Sequence, residues 1–312
     1  MDIVLPTLPD ATGLIAGAVL AGPFRPPPSA GLPDRRVTVH AVRHDIARLA
    51  AYNRVCGFAL RDTVPATWLH VLSFPLQTYL MSKRDFPFGL VGLVHVTNTI
   101  EQYRPVRVTE AIDITTGAVN LAPHRRGVVF DLVSEIHAGP ECVWRGVSTY
   151  LARGANLTAD VPAGRSGTGE DPTPSAEPDP RPVTPPAHAE RPAPLPATAR
   201  WRLGSALGRR YAQVAGDLNP IHLSAITARP FGFPHAIVQG MWTYARVLAA
   251  LDGRLPAAYR ADLRFLTPIP LPSTVSFAEA PLAEADSGQA GFRAAVTNSA
   301  GKLCLVGTIA AQ

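Results

Sequence analysis

Residues 154–199 run through Pro, Ala, Thr, Ser and Gly, including the stretch DPTPSAEPDPRPVTPPAHAERPAPLPATA, with no apolar periodicity that could build a core. Proline at this density favours extended, partly stiff chain, so the segment predicts a surface linker. It divides 312 residues into halves of similar size, and the halves repeat one another. YNRVCG (Tyr52 to Gly57) parallels YAQVAG (Tyr211 to Gly216), HVLSFPLQTY (His70 to Tyr79) parallels HAIVQGMWTY (His235 to Tyr244), and IEQYRP (Ile100 to Pro105) parallels LRFLTP (Leu263 to Pro268), all in the same order. From Tyr to His the first half takes 18 residues and the second 24, which places about six extra residues in the segment containing GDLNPIH. The chain is therefore read as a duplicated unit.

Each half predicts the same elements. A short strand (Arg36 to Ala41; Trp201 to Leu203) leads to a helix, an irregular segment, and a longer apolar helix near Leu69 to Lys83 or Gly240 to Leu251. Strands follow, at Gly92 to Tyr103, Val106 to Thr115, Gly127 to Ile136 and Val143 to Leu151 in the first half. In the second they are Tyr259 to Leu266, Thr274 to Ala280, Gly291 to Thr297 and Lys302 to Ala310, with Asp286-Ser287-Gly288 as a turn signal. Strands curling around one buried helix make an α+β plan.

Composition narrows the function classes. With 46% hydrophobic and 17% charged residues the chain can bury real cores. Cys56, Cys142 and Cys304 lie far apart without a CxxC pair, so neither a disulfide framework nor a cysteine metal site is predicted, and a reducing cytoplasm fits best. The apolar stretch Ala11 to Ala21 is too short to span a bilayer and follows Asp2 and Asp10 rather than basic residues, so no signal peptide or membrane anchor is read. The net charge of +5 suits an anionic partner, but the basic residues are dispersed and lack interleaved aromatics, which argues against nucleic acid.

The segment YAQVAGDLNPIHLSAITARPFGFPHAIVQGM (Tyr211 to Met241) carries the chemistry. Asp217 and His222 lie five apart across Pro220, so a turn could direct a carboxylate and an imidazole at one water. Gly240 stands where the long helix begins, so its N–H can meet a negatively charged oxygen with the helix dipole behind it.

Through Tyr211-Ala212, Gly216-Asp217, Asn219-Pro220, His222, Gly232-Phe233, Ile237 and Gly240-Met241 the segment resembles the MaoC-like, R-specific enoyl-CoA hydratase family. The resemblance is good across residues 200–270, weaker through the later strands, and reaches the first half only by the repeat. It implies a double hotdog, two tandem folds each wrapping an antiparallel sheet around a long helix. Residues 1–34 are then an N-terminal extension, 35–153 a degenerate hotdog domain, and 200–312 the catalytic one. It also implies reversible hydration of trans-2-enoyl thioesters to (3R)-hydroxyacyl thioesters. Asp217 and His222 would share the water and Gly240 would supply the oxyanion donor.

Asn219, Gln239 and Met241 are implied as substrate-binding residues, Asn219 either bracing the loop or serving as a plain turn residue. The family usually has His before the glycine; Gln239 stands there in this chain, which leaves local hydrogen bonding and substrate preference open. His235 and Tyr211 are read as structural, and Arg246 and Arg264 as candidate anchors for coenzyme A phosphates.

In the first half Phe58 aligns with Asp217 and Pro75 with Gly240, so that half cannot run this chemistry. It is read as accommodating the acyl chain, with Leu72, Phe74 and Leu76 as its wall. No cofactor and no metal is called for. Coenzyme A or the phosphopantetheine of acyl carrier protein arrives with the substrate, so the partner is a small acyl thioester, with coenzyme A and acyl carrier protein both open as its carrier and monomer and homodimer both open as the assembly. A hotdog acyl thioesterase and a non-catalytic acyl-thioester-binding subunit are the competing readings.

Overall fold

The computed structural model describes residues 2–20, 25–90, 92–157, 195–282 and 290–312. The linker prediction falls largely on 158–194, and the turn at Asp286 to Gly288 falls on 283–289; both lie outside the described residues. The first half comprises β1 (Ile3–Leu5), α1 (Ala11–Leu20), β2 (Arg36–Val42), α2 (Ile46–Cys56), α3 (Ala66–Ser82), β3 (Leu93–Gln102), β4 (Ile112–His124), β5 (Gly127–Ala138) and β6 (Glu141–Arg153). The second comprises β7 (Ala197–Leu203), α4 (Leu207–Ala215), α5 (Ala225–Ala228), α6 (Gly240–Ala250), β8 (Tyr259–Phe265), β9 (Ser273–Pro281), β10 (Gly291–Asn298) and β11 (Leu303–Ala311).

All eleven strands form one sheet in the order β1-β2-β4-β5-β6-β3-β8-β11-β10-β9-β7. Read from either end inward, β2-β4-β5-β6-β3 mirrors β7-β9-β10-β11-β8, so the duplication seen in the sequence is a duplication of topology. The halves meet where β3 pairs antiparallel with β8, from Thr97↔Arg264 to Gln102↔Tyr259. The Trp242 indole also donates to the Val55 carbonyl at 3.0 Å, and Arg48 donates to the Val214 carbonyl at 2.8 Å. This is the double hotdog, with α3 and α6 as its buried helices.

The repeated Tyr and Gly have a structural reason. α2 and α4 each end on a glycine in the left-handed region, Gly57 at φ 85 and Gly216 at φ 78, a conformation that favours glycine. Tyr52 and Tyr211 are buried one helical turn and a half earlier, and their rings meet across the two halves at 6.1 Å. The residue after each glycine is Phe58 in one half and Asp217 in the other, as aligned.

The alignment fails further on. α3 begins at Ala66, so Pro75 sits inside that helix, whereas Gly240 is the first residue of α6. The matching residues are Trp68 and Trp242, each third in its helix, and the second half carries 15 more residues between Tyr and Trp rather than six. Matching His, Thr and Tyr by eye slid one helix along the other. His70 is consequently buried within α3, while His235 is exposed in the loop before α6.

Two other expectations shift. Val106 to Glu110 form a turn rather than the start of β4, because Glu110 accepts hydrogen bonds from Arg104 at 2.8 Å and from the Arg107 N–H at 2.6 Å. The N-terminal residues are integrated into the fold: β1 pairs parallel with β2, α1 packs against α3 and buries Ala11 and Ile15, and Arg25 donates to the carbonyls of Met81, Lys83 and Phe86 beyond the end of α3. Among the described residues no helix is long and apolar enough to cross a membrane.

Candidate active site

Past Gly216 the chain leaves α4 and enters a short 3₁₀ turn, Pro220–His222. Asn219 caps it: its side-chain oxygen accepts from the Ile221 N–H at 3.3 Å, while its own N–H donates to Asp217 Oδ1 at 3.3 Å. Asn219 thus both caps the turn and contacts the Asp217 carboxylate. Thr227 donates to the Pro220 carbonyl at 2.7 Å from α5, which begins with a Ser224–Thr227 capping box.

These restraints bring Asp217 Oδ2 to 3.7 Å from His222 Nε2. On the other side of the ring, Nδ1 lies 2.7 Å from the Ile237 carbonyl oxygen. A carbonyl can only accept, so Nδ1 carries a hydrogen, and whenever the ring is neutral its Nε2 lone pair faces Asp217.

Gly208 on α4 makes the arrangement possible, since a Cβ there would lie 2.1 Å from the His222 carbonyl oxygen. The carbonyl of Gly208 also accepts the Gln239 side-chain amide at 3.0 Å. Gln239, buried and the N-cap of α6, thus ties the start of that helix to α4 through a bond the sequence left open. Gly240 follows as the first helical residue, where backbone N–H groups have no intrahelical acceptor. The Phe265 ring closes over it, 3.0 Å from where a Cβ would stand.

A cavity of about 400 Å³ opens beside this constellation. Asp217, Asn219, His222, Gln239, Gly240 and Met241, the six residues singled out in the sequence, all line it. Arg246 does not: it lines a separate groove with Arg54, Arg200, Arg202 and Arg210, its guanidinium over the Trp201 ring at 5.0 Å. Arg264 projects from β8 and lines neither space. Leu72 and Leu76 are packed into the core instead of the wall, and Phe74 alone of the three expected apolar residues reaches the cavity.

The opposite wall comes from the first half and includes Ile15, His70, His95 and Tyr150. Sequence reading missed His95 and Tyr150, because strand residues of the half without the motif carry no local signal of a site built across the sheet, and it missed Gly208, whose need for a bare Cα is set by how closely α4 packs on the His222 carbonyl.

Burial in this wall pushes the His70 imidazole down to about 4, and burial together with the neighbouring His70 pushes His95 down to about 3. In the unfolded chain both would titrate near 6.5, so the unfolded state binds more protons below that pH. Folding stability is then complete above about pH 6.5 and is lost as pH falls toward 4 and 3. By pH 5 the loss reaches about 2 kcal/mol for each ring. Urea unfolding at pH 7 and pH 5 measures it: the double variant His70→Leu/His95→Leu is expected to lose less stability between the two than the native chain.

An eleven-stranded sheet around two buried helices defines a double hotdog protein, with the acid–histidine pair of the second half beside the N-terminus of α6. Residues 179–299 match the family model described as the MaoC like domain. The 3-hydroxyacyl-thioester dehydratase X of Mycobacterium tuberculosis is 38% identical over 257 residues, covering 82% of this chain and 83% of that protein. The chain belongs to the MaoC-like dehydratase family, a family of hydro-lyases.

Solved structures agree. The crystal structure of HtdX from M. tuberculosis superposes with a TM-score of 0.71 at 35% identity, covering 89% of this chain and all of that one. A MaoC-like dehydratase from Phytophthora capsici gives 0.63 at 17% identity over 90% of this chain and 95% of its own. A further M. tuberculosis protein, described as having a double hotdog fold, gives 0.51 at 14% identity over 86% and 92%. The last two speak for the fold alone.

Proposed function

We propose that the chain catalyses reversible hydration of trans-2-enoyl thioesters to (3R)-hydroxyacyl thioesters. The observation that carries this reading is the 3.7 Å approach of Asp217 Oδ2 to His222 Nε2 on the wall that also holds the N-terminus of α6. With the carboxylate ionised and the ring neutral, both atoms are acceptors, so one water can donate a hydrogen to each and turn its lone pair to carbon 3. As the C–O bond forms, the double-bond electrons move toward the thioester oxygen, where the Gly240 N–H and the dipole of α6 stabilise the charge. The dyad takes the water's proton and returns it to carbon 2. Dehydration is the reverse. Protein groups supply each step.

The acyl group runs along one face of α3, where Val71, Phe74, Thr78 and Met81 follow helical spacing on the cavity wall. Phe74→Trp is expected to lower kcat/KM about tenfold for a ten-carbon enoyl thioester while leaving a four-carbon one within about twofold. Steady-state kinetics on both lengths measures this, and equal losses would place the tail elsewhere.

The reaction itself is tested by following loss of enoyl absorbance with trans-2-octenoyl-CoA, and with the acyl carrier protein thioester, together with the stereochemistry of the product. A (3R)-hydroxyacyl thioester is expected. Release of free thiol would instead identify a thioesterase, and tight binding of either thioester without turnover an acyl-binding subunit.

A further inference from the structure

We propose that His70, His95 and Tyr150 form a polar subsite that receives a hydroxyl or carbonyl oxygen carried by the acyl chain a few carbons beyond the reacting bond, making oxygenated acyl thioesters the preferred substrate class. The proposal rests on the thioester reading above and adds what the tail must look like.

The three side chains form a row. The His95 ring stacks on Tyr150 at 4.7 Å and on His70 at 6.2 Å, and it meets Phe265, the ring that covers Gly240, at 5.0 Å. All three line the cavity, and the negative charge of Asp217 acts on the Tyr150 phenol. The row therefore begins at the dyad and ends on α3 at His70, where the apolar face bearing Phe74 and Met81 takes over.

Hydrogen bonding among the described residues does not account for the row. His70 Nδ1 and His95 Nε2 are buried without a hydrogen-bond partner, although a histidine kept for structure normally has its ring nitrogens satisfied. The His95 ring is held by its hydrogen bond with the Thr97 backbone, which leaves Nε2 as the unpartnered nitrogen, and a half-turn of the His70 ring exchanges nitrogen and carbon positions within the same envelope. Burial keeps both imidazoles neutral at physiological pH, and burial with the Asp217 charge keeps the phenol protonated. A neutral imidazole both donates and accepts, which suits a hydroxyl or a carbonyl, and it carries no charge to offset the burial of a carboxylate. An unsubstituted alkyl chain filling this stretch would seal three polar groups against carbon, and that is unfavourable.

Saturated thioesters separate recognition from turnover. Calorimetric titration of the full chain with 5-hydroxyoctanoyl-CoA and octanoyl-CoA is expected to give about tenfold tighter binding of the hydroxylated ligand, the gain from one or two hydrogen bonds. His70→Leu, and separately His95→Leu and Tyr150→Phe, should bring the ratio toward one while the melting temperature at pH 7 holds. A ratio of one or less in the native chain, or a ratio untouched by all three folded variants, overturns the subsite. If the ratio stands while trans-2-octenoyl-CoA is not hydrated, the reaction reading fails and the subsite survives. Hydration with a ratio of one keeps the reaction and removes the subsite.

Discussion

Asp217→Asn is expected to lower kcat on a trans-2-enoyl thioester by roughly 10²–10⁴, the range in which positioned acid–base groups act. The variant keeps the shape of the site, because the asparagine oxygen can still accept the Asn219 N–H that Oδ1 accepts now. What it removes is one of the two acceptors that orient the water, placing a neutral amide where a base stood. KM should change little, since the carboxylate faces His222 and the developing charge is met by Gly240. Enoyl-absorbance kinetics with a melting curve in parallel provides the check. Activity within tenfold of the native chain would remove Asp217 from the chemistry.

The second large effect comes from a residue with no functional atoms. Gly208→Ala should cost about 100-fold in kcat, because the new methyl group would stand 2.1 Å from the His222 carbonyl oxygen and the backbone there must move. A displacement near 1 Å of a positioned group is enough for a loss of that size. Helix propensity points the other way, as alanine in a helix is favoured over glycine by about 1 kcal/mol. A variant that melts near the native temperature and has lost activity would show that the glycine serves the histidine. Full activity would mean that α4 and the 3₁₀ turn can part without disturbing the dyad.

The parts of the site visible in the sequence are the local ones. Asp217, Asn219 and His222 sit within six residues on a turn whose geometry follows from Gly216, Pro220 and the Asn219 cap, so spacing alone conveys their convergence. Gly240 was visible because a glycine at the start of an apolar helix is a local signal too. The duplication was visible through Tyr52–Gly57 and Tyr211–Gly216, which encode the same helix end. What escaped was set by long-range packing. The start of α3 depends on burial around Trp68 rather than on a cap, since Pro65 offers no side-chain bond, and so Pro75 was placed at the wrong point. Val106 to Glu110 have strand-like residues but are held in a turn by Arg104, a preference only the ion pair settles. His95 and Tyr150 reach the cavity through β3–β6 and β3–β8 pairing, and no periodicity announces which strand residue will face a site in the other half.

The mirrored strand order carries a consequence for how such a chain can change over time. Two identical hotdogs pairing as separate molecules would place every mutation on both sides of the junction at once, so a gain for the dyad would also be imposed on the wall opposite. Joining them in one chain breaks that constraint, and tethering replaces a concentration-dependent encounter with an intramolecular one. One copy could then lose its acid to Phe58 while its strands took up His95 and Tyr150, and the other could gain 15 residues of turn and short helix without a matching insertion across the β3–β8 seam. The asymmetry is inherited as a unit, with each acid–histidine pair always facing the wall that evolved beside it.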